Sequence, residues 1–179
     1  MFQDSRINKV LYGGDYNPEQ WPEEIWEEDM RLFKLAGIDE VTLNVFSWAA
    51  LQPSEDTYNF EKLDKIMDLV EANGLKVFLA TSTAAHPAWM AKRHPDILRT
   101  EFSGMKRKFG SRHNSCQNSP TYQKYSVLLA KKLAERYGER ECVIGWHICN
   151  EYGGECHCPL CQSAFRGWLK KKYNNDIKE

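Results

Sequence analysis

Residues 142–161 read CVIGWHICNEYGGECHCPLC: an apolar run ends on Asn150 and Glu151, crosses a turn and enters three closely spaced cysteines. A short apolar run bounded by turn residues and followed by helical periodicity, here Phe165, Trp168 and Leu169, reads as one βα unit. The same rhythm occurs earlier in the chain. Val10 and Leu11 lead into the loop GGDYNPEQW and a helix expected to open at Pro22, with Trp26, Met30 and Phe33 on its buried face and Gly37 as its stop. VTLNVF at 41–46 leads into a helix from about Phe60, with Leu63, Ile66, Met67 and Val70 as its apolar stripe and Gly74 at its end. KVFLA at 76–80 is followed by a long excursion, 81–119, and then by a helix with Tyr125, Leu129 and Leu133 on one side. Excursions of that length are commonly functional or disordered.

Strands apolar on both faces and alternating with helices predict an α/β fold with a parallel sheet. An open doubly wound sheet and part of a (β/α)8 TIM barrel both satisfy this. No G-x-G-x-x-G follows any of the runs, which speaks against the dinucleotide-binding form. Polar and aromatic residues gather just after the runs, where barrel enzymes build their sites. A whole barrel takes roughly 250 residues, so the chain is expected to supply about the first four βα units.

The composition sets outer limits. With 179 residues, 42% of them hydrophobic, the chain can bury a sizeable core. The formal net charge of -1 and scattered basic residues favour neither a nucleic-acid nor a membrane partner. No run has the length of a signal-peptide core or a membrane span, so a cytoplasmic location is expected. Six cysteines then point to metal ligation and buried thiols rather than to disulfides.

Cys156, Cys158 and Cys161 form C-x-C-x2-C, three thiolates within reach of one ion, and a tetrahedral zinc needs a fourth ligand. Cys116, His157, Cys142 and Cys149 are the candidates. Val143, Ile144 and Ile148 mark Cys142 and Cys149 as small buried hydrophobes. Cys116 lies in the polar segment RHNSCQNSP, where burial gives no reason for a cysteine.

By itself, an Asn-Glu pair describes a solvated turn. At the end of a parallel strand, beside Trp146 and Tyr152, Glu151 is expected to be partly desolvated, which suits a carboxyl to act as a general acid. Asp15, Asn17, Asn44, His86 and Arg112 are expected at the same mouth. Trp48 and Trp89 read better as core lids than as sugar platforms, and His86 before Pro87 as a residue hydrogen-bonded in a turn.

GGDYNPEQWP at 13–22, TLNVFSWAALQPSED at 42–56, TSTAAHPAWM at 81–90, RHNSCQNSPTY at 112–122 and NEYGGECHCPLC at 150–161 together resemble the N-terminal part of glycoside hydrolase family 42 β-galactosidases. The resemblance implies that residues 1–179 form the N-terminal half of a (β/α)8 catalytic domain that acts on terminal non-reducing β-D-galactosyl residues with retention. It makes Glu151 the general acid/base and places Asn150 and Arg112 on the galactosyl unit. It assigns Cys116, Cys156, Cys158 and Cys161 to a structural zinc, and it implies a homo-oligomer, a trimer in the intact protein. The family's nucleophile, a second Glu after the seventh strand, is not matched here; Glu19, Glu55 and Glu155 belong to the wrong loops and read as solvated. The isolated chain is therefore expected to be inactive. The alternative is a zinc-stabilised, non-catalytic carbohydrate-binding or scaffold module.

Overall fold

A glycine decides where the sheet begins. The computed structural model describes residues 6–110 and 112–176, and its first strand, β1, spans Gly13–Asp15. A Cβ at Gly13 would lie 1.8 Å from the carbonyl oxygen of Glu40, so a side chain there would push the neighbouring strand away. The strand expected at Val10 and Leu11 is thus displaced toward the C-terminus: Val10 is 93% exposed, and β1 itself is exposed along its length rather than buried on both faces. The ends of the expected 1–179 domain, residues 1–5 and 177–179, lie outside the described residues.

β1 pairs in parallel with β2 (Glu40–Leu43), β2 with β3 (Lys76–Ala80) and β3 with β4 (Val143–His147). The strands lie in the order β1-β2-β3-β4. This sequential order is that of a barrel wall; a doubly wound sheet reverses its order at a switch point. The choice left open by the apolar runs is settled by the pairing.

Helices α1 (Trp26–Ala36), α3 (Glu61–Ala72) and α5 (Pro120–Tyr137) fill the crossovers. Pro22 and the acidic pair Glu23 and Glu24 build a 3₁₀ turn, so the first α-helix starts at Trp26 rather than at Pro22. The expected stripes are buried on α3 (Leu63, Ile66, Met67 and Val70) and α5 (Tyr125, Leu129 and Leu133), while on α1 Trp26 and Met30 are buried and Phe33 only partly so. With Val77 and Leu79 of β3 they form one contiguous core. Ser119 caps α5 by accepting from the Tyr122 N–H, and Pro120 occupies the first turn, where no donor is needed. Two short helices, α2 (Trp48–Leu51) and α4 (Ala88–Arg93), sit in the loops after β2 and β3. The last helix, α6 (Pro159–Lys172), departs from expectation: Phe165 and Trp168 stack on one another at 5.9 Å but remain exposed, and none of its residues is buried. Its apolar residues lack a sheet face to pack on among the described residues. No helix there is long and apolar enough to cross a membrane.

Glu55, expected to be solvated, is a structural knot. Its carboxylate accepts from the Tyr125 hydroxyl on α5 and from Arg93 Nη1 at 2.6 Å, and lies 3.0 Å from His94 Nε2, which joins the loop after α2 to α4 and α5. Those three contacts hold its pKa down to about 2, against an ordinary 4.5. A carboxyl depressed on folding stabilises the fold fully above the ordinary value and ceases to do so as pH falls through the depressed one. Glu55→Gln is expected to lower the melting temperature near neutral pH and to flatten its fall between about pH 4.5 and about pH 2, read by thermal melts across that range. An acid limb identical to that of the unmodified protein would refute this role.

Candidate active site and metal centre

Strand ends rather than strand bodies carry the site. Asn44 after β2 (φ 71°), Ser82 after β3 (φ 61°), and Cys149 (φ 60°) and Glu151 (φ 49°) after β4 all adopt left-handed backbone. Non-glycine residues avoid that region, and its use concentrates where surrounding contacts enforce it. Such contacts are present here. Asn44 Nδ2 donates to the Ala80 carbonyl at 3.0 Å, Ser82 Oγ donates to the Asn44 carbonyl, and the Cys149 N–H donates to Thr81 Oγ1 at 3.2 Å. The ends of β2, β3 and β4 are thereby tied to one another in a row.

The excursion at 81–119 folds back onto this row. Leu98 and Ser115 form an antiparallel bridge, the Cys116 N–H donates to the Ile97 carbonyl at 2.6 Å, and the His113 N–H donates to the Ala84 carbonyl at 3.0 Å. The result delivers Arg112 to Glu151: Arg112 Nη2 lies 3.0 Å from Glu151 Oε2. The guanidinium also sits 5.8 Å from the centre of the Phe46 ring, a cation–π contact beside the end of β2. His113 Nε2 lies 4.0 Å from the same Glu151 oxygen. Burial, then the neighbouring Arg112 and Arg99, holds His113 below the ordinary histidine range, with Glu151 opposing. Sequence reading does not single out His113; its only signal is adjacency to Arg112, and no spacing rule marks a histidine delivered by a loop.

Other expected mouth residues divide. Asp15 is exposed at the end of β1, Asn150 is half-buried beside Glu151, and Asn17 is partly buried. Asn44 is buried and serves as the clasp described above. Trp48 is fully buried with its indole N–H on Gln52, and Trp89 donates to the Gln52 carbonyl, so both are core residues. His86 is buried with Nδ1 2.6 Å from Ser115 Oγ, and burial pushes its pKa down to about 4. The desolvation of Glu151 by Trp146 and Tyr152 is not found: the Glu151 side chain is 65% exposed and Tyr152 is itself exposed. Glu151 is instead open to solvent on one side and ion-paired on the other.

The cysteines come together as a set. The sulfurs of Cys116, Cys156, Cys158 and Cys161 all lie within 4.8 Å of one another, with Cys116 to Cys158 at 3.5 Å and Cys116 to Cys161 at 3.4 Å. Those separations are too long for a disulfide and close to the roughly 3.8 Å between sulfurs that Zn–S bonds of about 2.3 Å give in a tetrahedron. The surrounding donors suit thiolates. The Thr100 N–H points at Cys156 Sγ (3.5 Å), the Cys161 N–H at Cys158 Sγ (3.5 Å) and Asn118 Nδ2 at Cys161 Sγ (3.3 Å). Burial works against ionisation of Cys156, but backbone N–H groups led by that of Thr100 outweigh it and bring its pKa to about 7. Cys158 caps the N-terminus of α6, where the helix dipole favours negative charge. Cys116 departs from expectation in one respect: it is fully buried, and burial pushes its thiol pKa up in the absence of an ion. Its sulfur lies buried within 4.8 Å of the other three despite its polar sequence surroundings. His157 turns away, with Nε2 3.1 Å from Glu155, and Cys142 and Cys149 are buried just before and just after β4, as their apolar neighbours predicted. This cluster of four cysteines has the geometry to hold a metal ion.

The cysteine cluster and Glu151 are joined by a short turn. Gly154 (φ 73°) sits between them, and a Cβ there would come 2.2 Å from Arg99 Nη1, so the turn passes over the buried arginine only as glycine.

Known proteins share this arrangement of chain. A family model described as β-galactosidase, glycoside hydrolase family 42, matches residues 15–179. β-Galactosidase BgaA of Planococcus sp. is 63% identical over 171 residues, covering 95% of this chain and 25% of that protein. β-Galactosidase LacZ of Lactobacillus acidophilus is 50% identical over 169 residues, covering 94% and 25% respectively. The crystal structure of a β-galactosidase from Bacillus circulans sp. alkalophilus superposes with a TM-score of 0.91 at 56% identity, over 95% of this chain and 25% of that one. The chain thus spans about a quarter of the length of the relatives it matches. Sequential parallel βα units, a match running through both the Arg112 loop and the cysteine cluster, and these likenesses lead to one conclusion: the chain carries the first βα units of a TIM barrel and belongs to the β-galactosidases of glycoside hydrolase family 42.

Proposed function

We propose that residues 1–179 are the N-terminal half of a (β/α)8 catalytic domain that hydrolyses terminal non-reducing β-D-galactosyl residues with retention of configuration. The observation that carries this reading is the meeting of Arg112 and Glu151, from separate loops, at 3.0 Å beyond the C-terminal ends of the strands. Glu151 is the general acid/base. It gives its proton to the glycosidic oxygen as the bond to the sugar breaks, and later takes one from the water that releases the sugar. Its exposure on one side leaves room for the leaving group and then for that water. Arg112 and Asn150 hold hydroxyls of the galactosyl unit.

Retention needs a second carboxylate about 5–5.5 Å from the first. Glu19 accepts from Ser47 Oγ, Glu55 is bound by Tyr125 and Arg93, and Glu155 pairs with His157. None of these serves, so the nucleophile comes from a later strand of the intact protein, and the isolated chain is inactive. Cys116, Cys156, Cys158 and Cys161 hold one zinc ion. Four thiolates complete its coordination, so it supplies a cross-link between the loops after β3 and β4 and leaves no position for a reacting water. The intact protein is cytoplasmic and a homo-oligomer, a trimer, with a β-galactoside as its substrate.

In the complete reading frame that carries this chain, Glu151→Gln is expected to lower kcat/KM on an alkyl β-galactoside by about 10²- to 10⁴-fold. The purified 179-residue chain is expected to give no turnover. Hydrolysis by the short chain would overturn the assignment of the nucleophile, and full activity of the variant that of Glu151. Elemental analysis is expected to find about one zinc per chain, lost in Cys116→Ser together with about 5–10 °C of melting temperature. Zinc binding with no glycosidase activity in the complete protein would favour the non-catalytic module instead.

A further inference from the structure

We infer that His113 is a positioning residue, a second hold on Glu151 that keeps the carboxyl in place when Arg112 turns to the substrate. This deepens the hydrolase reading and rests on it. Three observations carry it. First, His113 Nε2 is buried and has no hydrogen-bond partner, and Glu151 Oε2 lies 4.0 Å away, about an ångström beyond hydrogen-bonding distance. A buried ring nitrogen left unpaired calls for a reason, and a carboxylate one small rotation away supplies it. Second, His113 occupies left-handed backbone (φ 58°), held there by its own N–H on the Ala84 carbonyl. The loop thus presents the ring beside Glu151 from a fixed backbone position. Third, Arg112 and His113 converge on the same oxygen, Oε2, from adjacent positions of one loop.

The convergence solves a problem that the arginine creates. Arg112 Nη2 lies 3.0 Å from Glu151 Oε2, yet in the hydrolase reading the arginine also binds the sugar. Once it does so, the carboxyl is left exposed and loosely held. His113, held below the ordinary histidine range first by burial and then by Arg112 and Arg99, can donate its Nε2–H to Oε2. Oε1 then carries the proton that passes to the leaving oxygen.

The test uses the complete enzyme and two probes, methyl β-galactoside, whose leaving group requires protonation, and dinitrophenyl β-galactoside, whose leaving group does not. Asparagine tolerates left-handed backbone but is too short to reach Glu151; glutamine restores the reach. His113→Asn is expected to lower kcat/KM on the methyl galactoside by about 10- to 100-fold and on the dinitrophenyl galactoside by less than about threefold, with His113→Gln recovering most of the loss. Equal losses on both probes, failure of glutamine to rescue, or an asparagine variant as active as the parent would each overturn the positioning role while leaving the hydrolase reading intact. An unmodified enzyme inert on both probes would overturn the hydrolase reading, and this assignment with it.

Discussion

Side chains just past β2 and β3 hydrogen-bond the backbone of the neighbouring strand end, and the arrangement of the mouth depends on that row of contacts. Asn44 reaches from the end of β2 to Ala80 on β3, Ser82 reaches back to Asn44, and Thr81 receives the Cys149 N–H beyond β4. Backbone pairing contributes the Thr81 N–H on the His147 carbonyl at 3.1 Å, and these side-chain bonds extend the tie beyond it. Each clasp satisfies a buried polar group that would otherwise carry a desolvation cost of about 1–3 kcal/mol. Together they hold residues in left-handed backbone, and so determine the direction in which Cys149 and Glu151 leave the sheet.

A second constraint acts further out. Arg112 and Cys116 lie on one loop, Glu151 and Cys156 on another, and in each pair a few residues separate the site residue from the cysteine. Bringing the four sulfurs within 4.8 Å of one another therefore brings Arg112 and Glu151 into register. The cysteine cluster and the carboxylate are linked through chain length rather than through direct contact. The Thr100 N–H and the Asn118 side chain, both on the excursion after β3, donate across to Cys156 and Cys161, which ties the two segments together. Arg99 beneath Gly154 and the Thr100 carbonyl, which accepts from the His157 N–H at 2.8 Å, extend it along the excursion.

Much of this was legible in the residues. The helical stripes of α3 and α5, the strand at 76–80 and the cysteine spacing follow from local periodicity and ligand geometry, and all were found where expected. Failures occurred where a residue's role depends on something distant. Val10 and Leu11 look like a strand, but close approach of the chain to Glu40 requires glycine and moves the strand to Gly13. Glu55 looks solvated, but Tyr125, brought in by a helix far along the chain, closes on it. Cys116 looks like a surface loop residue, but the ligand cluster buries it.

The alternation of strands and helices, a cysteine spacing suited to holding a metal ion, and a carboxylate at the end of the fourth apolar run can be read from the residues alone. These properties rest on composition, spacing and neighbours within a few residues. Only the tertiary structure decided the sequential strand order, the pairing of Arg112 with Glu151, and the placing of His113 beside them. Parallel strands are joined by crossovers too long for local pattern to fix, so which loops meet at the mouth is set by sheet pairing and by the fold of the long excursion.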